Sequence, residues 1–257
     1  MSMNSQRKGF PFAQVKGGKW NGEKIYISDE INETNPKIKT FSKLRVDDGH
    51  FQLIPNTKKE RDTIMICGGA GSGKSYFACQ YLKEYVKAYP KNPIYVLSNV
   101  NDDSSLAGVP LNYLKIGDNL VNEETVLSYK DFSNCCLYFD DIDSISNKNK
   151  WRDAIYDLLD GALECGRHQN ITVILIQHVA TNGHRSRKLL LESNYFVYFP
   201  HGAVRNTIYA LESYFGVSKD QVKKIKQLRS RWALISRNFP TAVMTEKNVF
   251  LLNSDED

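Results

Sequence analysis

The chain has 257 residues, 41% hydrophobic and 25% charged, with five cysteines and a formal net charge of +5. This length bounds one well-filled core with appendages or two small domains at most, and the balance of apolar and charged residues excludes a disordered chain. No apolar run approaches the roughly 18 residues of a membrane span, and the opening MSMNSQRKGFPF lacks the apolar stretch of a signal peptide, so the expectation is no membrane insertion and a reducing, cytoplasmic setting.

In that setting Cys67, Cys79, Cys135, Cys136 and Cys165 are expected to be buried free thiols. They form no CxxC pair, and all lie in apolar segments.

The first 60 residues, rich in Lys, Gly, Asn and Asp, read as a β-rich extension. Asn21-Gly22 offers a hairpin turn into GEKIYIS, and FQLIP at 51–55 reads as another short strand. From Arg61 to about residue 200, strands alternate with helices, the pattern of a mostly parallel sheet covered by helices. TIMIC (63–67) is a short apolar strand that runs straight into glycines. Phe77, Tyr81, Leu82, Tyr85, Val86 and Tyr89 then recur at helical spacing until Pro90. IYVLS (94–98) predicts a strand, followed by a helix reaching about residue 115. CCLYF (135–139) is a third strand, running into Asp140-Asp141. A helix is predicted from about Lys150 to Cys165 on Trp151, Ile155, Leu158, Leu159 and Leu163, with Gly166 as its stop. ITVILI (171–176) is apolar throughout, as a strand buried on both faces must be, and YFVYF (195–199) is a fifth strand. Residues 201–257 are expected to complete the same domain: two helices, the second opened by the capping box Ser218-x-x-Gln221, short strands in RWALIS, TAVMT and NVFLL, and the acidic tail Asp255-Glu256-Asp257.

The glycines carry the chemistry. Gly68-Gly69-Ala70-Gly71-Ser72-Gly73-Lys74-Ser75 fits G-x-x-x-x-G-K-[ST] in full, between a strand and a helix. In such a loop successive backbone N–H groups curl around an anion, and the helix N-terminus adds its partial positive charge. Residues 68–76, ending at Tyr76, are therefore the candidate nucleotide cradle. Lys74 is placed to reach the β- and γ-phosphates, and the Ser75 hydroxyl to ligate Mg²⁺. The required cofactors are ATP and Mg²⁺.

Asp140 ends the third strand, where its carboxylate can hold Mg²⁺ beside the loop, and Asp141 can polarise the water that attacks the γ-phosphate. Two other readings stay open: the acids cap the following turn, or Asp143 takes the place of Asp141. A buried strand then ends at Gln177-His178. Gln177 is the candidate γ-phosphate sensor and His178 its alternative. Arg167, and Arg185 and Arg187 in the polar loop NGHRSRK beyond that strand, are candidates to reach a neighbouring subunit's phosphate.

Together GGAGSGKS, CCLYFDDID, and GRHQNITVILIQH followed by an Arg-containing stretch and YFVYFP resemble the FtsK–HerA superfamily, in particular the genome-packaging ATPases of large DNA viruses. The resemblance covers about residues 61–200. It implies an α/β P-loop NTPase of the additional-strand, RecA-like type with small β-rich additions at both ends. It further implies a homo-oligomeric ring that moves double-stranded DNA into a capsid, in the host cytoplasm or a viral factory, with a capsid or portal protein as partner. By that analogy Gly73, Lys74 and Ser75 bind nucleotide, Asp140 holds the metal, Asp141 is the catalytic acid and Gln177 the sensor. The second acid is Asp where cellular members have Glu.

Between Lys219 and Arg237 stand seven basic residues against one acid, a run that can track a phosphate backbone or form an ordinary solvated helix face. Two other functional classes remain: a small-molecule kinase, which usually needs an Arg-rich lid rather than a strand ending in two acids, and a nucleotide-dependent switch or scaffold with weak turnover.

Overall fold

The computed structural model describes residues 2–5, 9–28, 42–58, 61–98, 103–115, 121–122, 125–145, 151–181 and 184–252. The tail 255–257 and the side chains of Asp143 and Arg185 lie outside the described residues. The chain divides into two compact units, Glu60–Ser193 and a second made of Met1–Lys59 with Asn194–Asp257.

The N-terminal part of the split unit forms an antiparallel sheet of β1 (Ser2–Asn4), β2 (Phe10–Lys16), β3 (Lys24–Ser28) and, after the short β4 (Lys43–Arg45), β5 (His50–Leu53), in the order β1-β3-β2-β5. The β2–β3 hairpin is the one expected at Asn21-Gly22. Its connection is held by Gly17 N–H donating to Asn21 Oδ1 at 2.8 Å and by Gly22 at φ 90°.

The unit Glu60–Ser193 is built on a parallel sheet. β6 (Thr63–Cys67) leads into α1 (Lys74–Ala88); β7 (Ile94–Ser98) is followed by a 3-10 turn at Ser104–Leu106 and β8 (Leu111–Lys115). Two short strands, β9 (Val121–Asn122) and β10 (Thr125–Val126), pair with each other. Then come β11 (Cys135–Asp140), α2 (Trp151–Cys165), β12 (Ile171–Gln177) and α3 (His184–Glu192). The strands run parallel in the order β8-β7-β11-β12-β6. β12 thus separates the strand that feeds the glycine loop from the strand that ends in the two acids.

Burial explains the choice of residues. All seven positions of β12 are buried, as are all five of β6. Ile171, Val173, Ile174, Leu175 and Ile176 are each no more than 2% exposed, and burying such a side chain contributes about 1.5–3 kcal/mol. On α1 the buried residues Phe77, Ala78, Tyr81, Leu82 and Tyr85 form the apolar stripe, and the helix ends before Pro90 with Tyr89 N–H bonded to Tyr85 O at 2.8 Å. The guanidinium of Arg61 donates to the carbonyls of Ala162 and Leu163, which satisfies the last turn of α2.

Among the described residues 103–115 the expected helix is not formed. Asp103 caps a single 3-10 turn, Gly108 takes φ 83°, and Pro110 precedes Leu111, so the segment ends as the parallel strand β8. Helix propagation across a positive-φ glycine and a proline is unfavourable. The stretch around Arg185 and Arg187, expected as a loop, is the first turn of α3. Cys165, the last residue of α2, is exposed; the other four cysteines are buried.

In the split unit the chain continues through β13 (Tyr195–Tyr198), α4 (Arg205–Phe215), α5 (Lys219–Gln227), β14 (Ala233–Ser236), β15 (Ala242–Thr245) and β16 (Asn248–Leu251). The antiparallel order is β13-β14-β15-β16-β4. Both bonds of the capping box at α5 are present: Gln221 N–H to Ser218 Oγ at 3.2 Å, and Ser218 N–H to Gln221 Oε1 at 2.9 Å. No helix among the described residues is long and apolar enough to cross a membrane.

Candidate active site

The parallel register sets the site. Cys67 pairs with Gln177, and Asp140 pairs with Ile176 on one side and Ser98 on the other. The ends of β6, β12, β11 and β7 therefore stand in one row at the carboxyl edge of the sheet, where open α/β sheets bind ligands. The glycine loop and Asp140 share that edge, separated by one intervening strand, about 10 Å at the usual strand spacing.

The loop is shaped as a cradle. Gly68 N–H donates to Gln177 O at 3.2 Å, and Ser72 N–H to Gly69 O at 3.3 Å. Gly73, at φ 104°, turns the chain into α1, a backbone conformation that side-chain-bearing residues rarely adopt. A Cβ built at Gly69 or Gly71 meets nothing within 4 Å, so protein packing does not demand glycine there. Ser72 Oγ is buried without a hydrogen-bond partner among the described residues, and no acid stands in the first turn of α1 to neutralise its N-terminal dipole. These features fit a bound polyphosphate. Lys74, 7% exposed, folds back so that Nζ donates to Gly68 O at 2.9 Å and Gly69 O at 3.2 Å. Tyr76 is 62% exposed on the same turn.

On the acidic side, Asp140 is pushed up to about 6 by burial and by the neighbouring charges of Asp141 and Asp103. The Ser98 hydroxyl, 3.4 Å from Oδ2, and Lys74 pull the other way. Asp103, missed in the sequence, accepts from Ser105 N–H at 2.8 Å and is hydrogen-bonded to Ser75. Burial raises it, yet the hydrogen bonds from Ser105 and Ser75 outweigh burial and leave it below the usual carboxylate range. Its sequence signal is the Asp-Ser-Ser cap; its neighbourhood with Ser75 arises only from the fold. A divalent cation beside Ser75 would relieve the crowding of carboxylates that raises Asp140, so the donor set fits Mg²⁺.

Asp141 occupies the left-handed region at φ 46°, ψ 38° and makes no side-chain cap on the turn that follows. Its Oδ2 lies 3.0 Å from His178 Nε2, and its Oδ1 is buried without a hydrogen-bond partner among the described residues. His178 Nδ1 in turn faces Lys74 Nζ at 3.4 Å. Gln177, 5% exposed, ends β12 at the level of Cys67.

The arginines are spread more widely. Arg167 is exposed on the 3-10 turn that precedes β12, at the amino edge of the sheet and, at about 3.3 Å per residue, roughly 20 Å along that strand from Gln177. Arg185 and Arg187 lie on α3; Arg187 is exposed, and its neighbour Lys188 is paired with Asp160 at 3.0 Å and Glu164 at 2.8 Å on α2.

No protein-family model matches the chain. Over 246 residues it is 33% identical to the uncharacterized protein V3 of Sputnik virophage, an alignment that covers 95% of the chain and 96% of that protein. The chain belongs to the family of V3. The alignment runs through both units. Among solved structures, the genome packaging NTPase B204 of Sulfolobus turreted icosahedral virus 2, in complex with AMPPCP, superimposes with a TM-score of 0.51 at 18% identity, covering 73% of the chain and 99% of B204. This is a likeness of fold. The α/β fold of an additional-strand P-loop NTPase, which the motifs led us to expect for a packaging ATPase of the FtsK–HerA type, is therefore the fold of this chain.

Proposed function

We propose that this V3-family chain is an ATP-hydrolysing motor that drives double-stranded DNA into a viral capsid. The observation that carries the reading is the placement of the glycine loop and Asp140-Asp141 at one sheet edge with β12 between them. The fold shared with a viral genome packaging NTPase supports the biological assignment.

In this reading the loop N–H groups of residues 68–73 and the Lys74 ammonium bind the phosphates. The Ser75 hydroxyl and Asp140 would hold magnesium, with Asp103 hydrogen-bonded to Ser75. Magnesium–ATP supplies the electrophilic terminal phosphorus and an ion that offsets charge developing during transfer. Asp141 orients the attacking water through its unpartnered Oδ1, and Gln177, at the tip of the intervening strand, senses the terminal phosphate. Lys74 must leave the carbonyls of Gly68 and Gly69 to take up its phosphate contacts, so nucleotide binding exchanges neutral acceptors for charged ones.

Subunits form a ring, and Arg185 or Arg187 on α3 reaches the neighbour's nucleotide. DNA is held by backbone charge without base recognition, and a capsid or portal protein receives the motor in the host cytoplasm or viral factory. Support for DNA contact comes from a cleft of about 930 Å³ lined by Lys43, Lys223 and Lys224. The test is phosphate release with and without linear duplex DNA. Stimulation by DNA is expected. ATP consumption that needs a small acceptor and ignores DNA would make the chain a kinase, and tight binding with negligible turnover in both conditions would make it a switch.

A further inference from the structure

The contacts of His178 determine its chemical state. A lysine ammonium has protons to give and no lone pair, so the ring nitrogen that faces Lys74 Nζ at 3.4 Å, Nδ1, must be the bare one. A neutral imidazole with a bare Nδ1 carries its proton on Nε2. That nitrogen lies 3.0 Å from Asp141 Oδ2, so His178 donates and Asp141 accepts. The ring joins the lysine of the glycine loop to the second acid of the neighbouring strand, and it does so from the first residue after β12. Asp141 is thereby held with Oδ2 occupied and Oδ1 unpartnered among the described residues, on a left-handed backbone whose carbonyl accepts from the Ser144 N–H and hydroxyl.

We infer that His178 is the positioning residue for Asp141, and that the Lys74 contact at its bare Nδ1 selects the tautomer that grips Asp141. With Lys74 on the loop carbonyls, the Nδ1 contact fixes the Nε2–H tautomer and aims Asp141. When a phosphate draws the ammonium forward, Nδ1 gives up the Lys74 contact while the Nε2–H bond to Asp141 Oδ2 remains, so Asp141 stays aimed during turnover. The role assigned to Asp141 rests on the proposed hydrolysis; the tautomer and its link to Lys74 do not.

The test therefore has two arms. In nucleotide-free protein labelled with ¹⁵N-histidine, with the signal assigned by its loss in His178→Gln, Nδ1 should resonate as a bare, pyridine-type nitrogen and Nε2 as a protonated one. The Nδ1 signal should shift in Lys74→Ala. A proton on Nδ1, or a signal indifferent to Lys74→Ala, overturns the inference whatever the protein does with ATP. In the kinetic arm, Gln places its amide where Nε2 stands and Asn where Nδ1 stands. His178→Gln should retain most of the turnover, whereas His178→Asn and His178→Ala should lower kcat by roughly 10–100-fold, the scale seen when a group that orients a ligand is lost, with nucleotide affinity little changed. Equal losses in Gln and Asn variants, or a loss confined to nucleotide affinity, would overturn the positioning role.

Discussion

Asp140 faces Ser98 across the β11–β7 pair, with the Ser98 hydroxyl 3.4 Å from Asp140 Oδ2. This one hydrogen bond does not offset burial and the charges of Asp141 and Asp103, which is why Asp140 is held up at about 6. A carboxyl whose folded value lies above its unfolded value binds its proton more tightly in the native state. It costs nothing below the unfolded value near 3.8, and the cost grows as pH rises to about 6 and then levels. The nucleotide-free protein should therefore lose stability between about pH 4 and pH 6. Asp140→Asn should remove that loss and gain, after allowance for solvent screening, about 1–2 kcal/mol at pH 7 while matching the wild type near pH 4. Thermal melts at the two pH values check this; a variant less stable than wild type at pH 7 would contradict it. The same substitution should abolish hydrolysis.

Gly69 separates ligand space from packing space. Its backbone lies outside the left-handed region and an added Cβ meets nothing within 4 Å, so Gly69→Ala should leave the melting temperature unchanged. The methyl would stand in the cradle, where it should weaken nucleotide binding by about tenfold or more, equivalent to about 1.4 kcal/mol. Calorimetric titration beside a melt checks both halves. A destabilised variant with unaltered affinity would show that the glycine serves the fold.

Much of this edge was legible before the structure. Continuous apolarity marked β12 as buried on both faces, and G-x-x-x-x-G-K-S between a strand and a helix marked the cradle. Ser218-x-x-Gln221 gave the start of α5 because both partners of the box are local. The failures share a cause: their signals are tertiary. α3 opens with His184, Arg185 and Arg187 and buries Leu189 and Leu190 only in its second turn, so no apolar period announces it; its anchor is Lys188 against Asp160 and Glu164. β8 is a strand because β7 lies alongside it, and Asp103 meets Ser75 only when the 3-10 turn folds over α1.

Tyr81, fully buried on α1, donates to Asp62 Oδ2 at 2.7 Å. Tyr81→Phe keeps the ring and deletes the bond to a buried carboxyl, which should cost roughly 1–3 kcal/mol. Chemical denaturation should give a lower midpoint with an unchanged slope. A midpoint equal to wild type would show that Asp62 is satisfied without the tyrosine.

The basic run 219–237 is not one surface. Arg237 stacks on Phe215 at 4.5 Å and donates to Tyr214 O, and Arg231 stands 3.9 Å from Glu246, whereas Lys223 and Lys224 line a cleft with Lys43 of the β4 edge. If phosphates enter that cleft, the triple Lys43/Lys223/Lys224→Ala variant should bind duplex DNA more weakly. Its log-affinity against log-salt slope should fall by about 0.9 for each phosphate the variant no longer neutralises. Its melting temperature should not change, since the Lys223–Asp220 pair is exposed. An unaltered salt slope would place DNA elsewhere.

In the proposed motor one triphosphate and its magnesium ion are held jointly by Lys74 and Asp140. Titration of a non-hydrolysable ATP analogue into wild type, Lys74→Ala and Asp140→Asn, each with and without Mg²⁺, tests it most directly. Joint holding requires binding by wild type that Mg²⁺ strengthens, loss of binding in Lys74→Ala, and loss of the Mg²⁺ effect in Asp140→Asn. Equal affinities in all three proteins, or a magnesium effect that survives Asp140→Asn, would contradict it.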